Sequence, residues 1–207
     1  MPRVSGIFDE FKGLDKISLE DITKWLSPMP NPITLYNFFC NRIYYPQTIP
    51  ATKEELEFDL AILRQALISD LSYLNKNSKK IIIPERFLGR FPDPTGLVVA
   101  FIDAYIHSQE DNPYGFWNIV LKSETKEEKL ASVIVPQFED SNGRFDITIE
   151  NRQLSVKAGQ FVNTKCVSKK CKVIYQVQMG LFLGQKEGMI EISSGLAGVL
   201  IDGRRYG

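Results

Sequence analysis

Proline and glycine are separated along this chain of 207 residues. All eleven prolines lie at or before Pro136, whereas nine of the fourteen glycines lie at or after Gly143. Proline is typical of helix starts and extended connections, while scattered glycine in a strand-rich segment marks tight turns and bulges. The separation predicts an α+β protein, with a mostly helical region over residues 1–130 and a small C-terminal β-barrel or sandwich over residues 131–207.

The overall composition is that of a globular protein, with 43% hydrophobic and 24% charged residues. No stretch reaches the ~18–20 consecutive apolar residues that a membrane helix needs. The first residues lack the basic-then-apolar order of a signal peptide. Three cysteines do not make a disulfide framework. These features predict a cytoplasmic protein with no membrane partner.

The strongest local pattern is a long helix. The sequence Thr52-Lys53-Glu54-Glu55 fits a capping box, and no Pro or Gly follows before Pro84, which predicts a helix over residues 53–76. Six leucines recur at steps of four and three along it and form one stripe: Leu56, Leu60, Leu63, Leu67, Leu71 and Leu74. This leucine seam has two interpretations, a central helix in a monomeric bundle or a self-association surface of about three heptads.

Two further helices are predicted in the first half of the chain. Ser18 can cap a short helix over residues 19–26, and Asp93-Pro94 starts a helix over residues 94–108. A dense apolar and aromatic run occupies residues 33–45. It includes Ile33, Tyr36, Phe38, Ile43 and Tyr44, and it either packs in the core or exposes an aromatic surface that takes a partner.

From about residue 132 the hydrophobic period changes to two. Phe145, Ile147 and Ile149 alternate with polar residues, as do Val173 and Tyr175, which predicts six or seven short strands. The segment 156–162 resembles the Val-x-x-Gly-Gln-x-Val turn of barrel-sandwich folds such as biotinyl domains. The Glu-x-Met-Lys-Met sequence that carries a biotinyl or lipoyl group in those domains is absent, so the resemblance implies no swinging-arm role.

Candidates for catalysis are few. His107 is the only histidine, and the chain has no Gly-x-Ser-x-Gly elbow and no phosphate-binding glycine loop. Cys166 and Cys171 are five residues apart among lysines, which would favour reactive thiolates, but a structural zinc site needs four ligands and only Cys40 and His107 could add to them. We therefore predict no cofactor and no metal, and keep a thiol-dependent enzyme as an alternative.

Charge is balanced overall but not along the chain. Residues 151–207 carry nine basic and three acidic side chains, so this segment has a net charge of +6 and residues 1–150 carry −6. The basic segment could contact phosphates of a nucleic acid, or it could dock on the acidic helical region. The candidate nucleic-acid-binding residues are Lys165, Lys169, Lys170, Lys172, Arg204 and Arg205.

These patterns favour a non-enzymatic interaction protein of the cytosol. In this hypothesis the leucine seam and the aromatic residues of the N-terminal region form a protein-binding or self-association surface. Nucleic-acid binding through the basic C-terminal region is the first alternative, and thiol-dependent catalysis is the second.

Overall fold

The computed structural model describes residues 17–45, 48–71, 80–108 and 114–204. The chain forms two compact units. Within the described residues, the helical unit comprises residues 17–71 and 86–108, and the strand unit comprises residues 80–85 and 114–204. The strand unit therefore starts well before residue 131, the boundary predicted from the sequence, because residues 80–84 and 115–130 already pair in its largest sheet.

Within the described residues, the helical unit contains five helices, whose positions follow the capping residues in the sequence. Ser18 caps the first helix in a capping box with Asp21, Asn31 accepts a hydrogen bond from the Ile33 amide at 2.9 Å, and Thr52 accepts one from the Glu55 amide at 3.2 Å. The helices are α1 Leu19–Thr23, α2 Pro32–Tyr44, α3 Lys53–Leu71, α4 Phe87–Arg90 and α5 Pro94–Ser108.

Helix α3 is the central element of the helical unit and packs against α1 and α5. Phe58, Ile62 and Ala66 belong to a core cluster that also includes Leu35 of α2 and Ile22 of α1. Because apolar residues lie on more than one side of α3, the helix is covered from several directions.

The core of the helical unit also contains charged side chains. Asp59 on α3 is fully buried and accepts hydrogen bonds from Arg42 Nε at 2.6 Å and Arg90 Nη2 at 2.9 Å. Arg64 Nε donates to Asp103 Oδ2 at 2.7 Å, which joins α3 to α5. These ion pairs connect α2, α3, α4 and α5, so the packing of the unit depends on charge pairing as well as on apolar contacts.

The strand unit has three sheets. Their strand orders are β1-β2-β3-β11-β7, β10-β8-β5-β6 and β4-β9. The strands are β1 Lys80–Pro84, β2 Gly115–Lys122, β3 Glu127–Val135, β4 Gln137–Phe138, β5 Arg144–Ile149, β6 Arg152–Lys157, β7 Phe161–Thr164, β8 Cys171–Gln178, β9 Gly180–Leu181, β10 Glu187–Ile192 and β11 Gly198–Asp202.

The described strands do not close into a barrel, which was one of the two alternatives, barrel or sandwich, that the sequence predicted. β1 and β7 stand at the two ends of the five-stranded sheet, and β10 and β6 at the two ends of the four-stranded sheet. What the structure shows is an α+β protein whose five- and four-stranded sheets contribute to one core cluster.

The period of two in the sequence corresponds to this core. In β8, Val173, Tyr175 and Val177 are buried while Ile174 between them is 57% exposed. The segment that resembles the barrel-sandwich turn connects β6 to β7 and thus one sheet to the other. Gly159 in this turn has φ +88°, a left-handed conformation that favours glycine, and its amide donates to Gly203 O at 2.8 Å.

Candidate protein-interaction surface

The leucine seam contributes to the core of the helical unit. Leu60, Leu63 and Leu67 are at most 4% exposed, and Leu56 is partly buried. Leu74 and the side chain of Leu71 lie outside the described residues. The buried leucines have their apolar surface covered within the unit, as expected for a central helix, and self-association through the seam stays a prediction.

An exposed apolar surface lies on α2. We call it the α2 face and define it by residues spaced three, four, three and one apart, so that they share one side of the helix: Ile33, Tyr36, Cys40, Ile43 and Tyr44. Cys40 is partly buried, and the other four residues are between 58% and 75% exposed. The opposite side of α2 holds the helix to the unit through buried Leu35 and through Phe38, whose ring lies 5.6 Å from that of Phe58.

The α2 face carries no formal charge. Between Asn31 and Tyr45 the sequence has a single ionic residue, Arg42, and its side chain turns inward to pair with Asp59. The exposed polar side chains of α2 are therefore neutral, as in Asn37 and Asn41. Interface centres are depleted in charge and enriched in tyrosine in the same way, so this surface has the composition of a protein contact.

A depression of about 410 Å³ lies in the same unit, lined in part by Trp25, Met29 and Glu57. The Trp25 ring is held by Arg64, whose guanidinium carbon lies 5.6 Å from its centroid, and by an edge contact with His107 at 4.9 Å. His107, the single histidine, thus has a packing contact with Trp25 in this structure. The depression combines apolar walls with acidic groups from the start of α3.

A larger open depression, of about 890 Å³, lies on the outer face of the four-stranded sheet. It is lined by side chains that alternate with the core residues, including Asp146, Gln176 and Met189. Asp146 accepts a hydrogen bond from Arg144 Nε at 2.9 Å and another from Gln178 Nε2 at 3.3 Å. The carboxylate is therefore already paired with neighbours on the sheet surface.

The basic residues predicted for nucleic-acid binding are partly brought together. Lys165, Lys169, Lys170 and Lys172 are exposed on or beside the turn between β7 and β8, and Lys170 pairs with Glu191 at 3.3 Å. Arg204 donates from Nε and Nη2 to the two oxygens of Asp202, at 2.9 and 2.6 Å. Arg205 lies outside the described residues. Two of the predicted phosphate contacts are thus neutralised by acids of the same chain.

The backbone of the β7–β8 turn already binds an anionic group. Glu150 accepts hydrogen bonds from the amides of Val167 at 3.2 Å and Ser168 at 2.8 Å. These backbone hydrogen bonds, led by that from Ser168, lower the pKa of Glu150. The amides that could otherwise cradle a phosphate are occupied by this carboxylate, and nucleic-acid binding stays a prediction.

The two cysteines of the turn are not alike. Cys171 is buried, and its thiol donates to Glu150 Oε1 and Ser168 O, each at 3.5 Å. Burial, followed by the proximity of Cys166 and Glu150, raises the pKa of Cys171 to about 12. A thiol that stays protonated near neutral pH is a poor nucleophile, which weighs against catalysis by Cys171.

Within the described part of the chain, no three His, Cys, Asp or Glu side chains are grouped so that they could hold a metal ion. No described helix is long and apolar enough to cross a membrane. No protein-family model, curated protein or solved structure matches the chain.

From the sequence, the α2 aromatics are one candidate surface, but the predicted partner-binding residues are those of the leucine seam. One signal favours α2 over α3. The α2 segment has a single ionic residue, whereas residues 53–71 contain seven, four of which come in the first five positions. A helix that is apolar and nearly uncharged all round has no charged side to direct to solvent.

Proposed function

We propose that this is an interaction protein that binds another protein chain through the α2 face. The observation that carries the proposal is the exposure of Ile33, Tyr36, Ile43 and Tyr44 on one side of a helix whose only ionic residue is buried. Scattered exposed apolar residues are ordinary on a protein surface, but an uncharged group of four on one helix side marks a contact surface. Catalysis is not part of the proposal.

The energetics favour a partner with an apolar helix or groove. Complete burial of an exposed side chain such as Ile33 is worth about 1.5–3 kcal/mol, and tyrosine adds contact area at a low cost in conformational entropy. The opposite side of α2 is fixed by Phe38, Leu35 and the Arg42–Asp59 ion pair. The face is therefore preorganised, so that binding does not have to order the helix.

Site-specific photo-crosslinking tests this function. The full chain would carry the photoreactive amino acid benzoylphenylalanine in place of Tyr44, be illuminated in an extract of the cells that naturally contain it, and be analysed by mass spectrometry to identify each adduct. We expect a defined protein adduct at this position. The matched control carries the same photoreactive residue in place of Met189, which is 60% exposed on the strand unit.

A second variant makes the result specific to the surface. Adding Ile33→Glu to the Tyr44 photoprobe should remove the adduct, because a charge is then placed about three helical turns away on the same contact. Circular dichroism would check that the helix content is unchanged. Equal adducts from the Tyr44 and Met189 positions, or an adduct that survives Ile33→Glu, would contradict an interaction function for the α2 face.

A further inference from the structure

We infer that the partner of the α2 face is a second copy of this chain, which forms a symmetric dimer through paired α2 helices. The inference rests on the proposed function and names its partner. Three properties of the described residues carry it: the charge of the face, the spacing of its apolar residues and its area.

The charge of the α2 face suits a symmetric contact. In a two-fold dimer each residue meets the same surface on the other copy, so a charge near the axis would face its own like charge. The α2 face avoids this cost because Arg42, the one ionic residue in the helix, is turned inward to Asp59. A different partner would more often be selected by complementary charge, which the face does not provide.

The spacing suits helix pairing. Ile33, Tyr36, Cys40 and Ile43 are separated by three, four and three residues, which is the a/d pattern of helices that pack at about 20°. The 13 residues of α2 give roughly 20 Å of helix for this contact. Cys40 lies near the middle, so it is within about one helical turn of Cys40 in the other copy for parallel or antiparallel pairing.

The area predicts a weak dimer. Taking ~200 Å² for a whole aromatic side chain and ~100 Å² for an aliphatic one, the face offers on the order of 400 Å² per copy. This is about half of the ~800 Å² per partner of a standard stable interface. Exposed Met29, Tyr45 and Ile49 are close in sequence and can extend it. We therefore expect dissociation in the range of roughly 10 μM to 1 mM.

Sedimentation velocity of the purified full chain over that concentration range tests the dimer. The wild type should move from monomer to dimer, and Tyr44→Glu should raise the dissociation constant by roughly thirtyfold or more, because it removes the most exposed tyrosine of the α2 face and places a charge on an apolar contact. Met189→Glu, which changes an exposed apolar residue of the strand unit, should leave it unchanged. A monomer at every concentration, or equal dimerisation of wild type and Tyr44→Glu, would overturn the inference.

Thiol cross-linking locates the contact. A short bismaleimide should join two wild-type chains through Cys40, and Cys40→Ser should lose the covalent dimer although Cys166 and Cys171 are still present. A covalent dimer that persists in Cys40→Ser would place the contact elsewhere and reject the paired α2 helices. Because Cys40→Ser is a small change on a partly exposed side chain, its folding can be compared directly with the wild type.

The photo-crosslinking described above separates this inference from the proposed function. A Tyr44 adduct with a second copy of the chain supports both. An adduct with a different protein, together with a monomeric chain in sedimentation, retains the proposed function and rejects the dimer. The absence of any specific adduct together with a monomeric chain rejects both.

Discussion

The helical and strand units differ in how much charge they bury and in what they expose. In the described part of the helical unit, five charged residues are buried, namely Arg42, Asp59, Arg64, Arg90 and Asp103, while the outer face of α2 is apolar. In the described part of the strand unit, Asp202 is the one charged residue that is buried, and the exposed side of β8 carries polar residues beside Ile174. The exposed apolar face of α2, in the unit whose core holds several ion pairs, is the feature on which the proposed interaction function rests.

Helix packing in this protein depends on a few polar contacts. Asp59 has two guanidinium groups within 2.9 Å and no exposure, so both the stability of the unit and the inward direction of Arg42 depend on it. Burial raises the pKa of Asp59, and the two arginines oppose this shift. Removal of one member would leave uncompensated charge in the core.

The largest effect is expected for Asp59→Asn, which should destabilise the helical unit by about 3–5 kcal/mol because Arg42 and Arg90 would be left buried without their carboxylate. Urea unfolding followed by the fluorescence of Trp25, in a Trp117→Phe background, measures this unit. Glu57→Gln, an exposed acid on the same helix, is the control and should change stability by less than about 0.5 kcal/mol. Equal effects of the two changes would show that the buried ion pairs are dispensable.

A smaller effect is expected for the corresponding change in the strand unit. Asp202 is fully buried but its partner Arg204 keeps 33% side-chain exposure, so water can solvate the guanidinium after Asp202→Asn. We expect a loss of about 1.5–3 kcal/mol, the usual value for hydrogen bonds to a charged group. Unfolding followed by Trp117 fluorescence, in a Trp25→Phe background, measures it. A larger loss of stability than for Asp59→Asn would contradict the expectation that the buried carboxylate contributes more in the helical unit than in the strand unit.

Cys171 should be the slowest thiol to react. Because its pKa is raised from 9.0 to about 12, its thiolate fraction near neutral pH is roughly a thousandfold below that of an ordinary thiol. Alkylation followed by mass spectrometry should label Cys171 last of the three cysteines. The raised pKa also means that the stability this thiol contributes is present below pH 9.0 and is lost as the pH rises towards about 12. Labelling of Cys171 as fast as Cys40 would revive the thiol-dependent alternative.

The smallest effect is expected for nucleic-acid binding. With Glu150 on the turn amides and Arg204 paired to Asp202, any binding should be weak, in the ~10⁻⁴–10⁻⁶ M range, and abolished by moderate salt. Reversal of Lys169 and Lys170 to Glu should remove it, whereas Lys126→Glu should not. A gel shift that survives ~0.2 M salt would place this alternative ahead of the interaction function.

Much of the secondary structure could be predicted from local patterns. The helix expected over residues 94–108 is α5, Pro94–Ser108, because Asp93 and Pro94 specify its start whatever surrounds it. The strands around Phe145 and Val173 followed from the period of two. The boundary predicted at residue 130 differs from that of the structure, since β1 pairs with β2 although the 30 residues between them include two helices.

The candidate surface was harder to predict. The apolar residues of α2 and α3 look equally suited to a core, and the sequence separates the two helices only by the smaller number of ionic residues in α2. The position of Arg42 decides which side of α2 is buried, because its pairing with Asp59 turns that side inward and leaves Tyr36 and Tyr44 exposed to solvent.

The sequence by itself determined the α+β class, the capped helix starts and the alternation of the strands, because these depend on residues a few positions apart. Only the tertiary structure decided that the leucines of α3 are buried, that Glu150 occupies the amides of the β7–β8 turn and that the α2 face is exposed to solvent. Those outcomes depend on contacts between residues distant in sequence, such as Arg42 with Asp59 and Arg90, whose geometry no local pattern encodes.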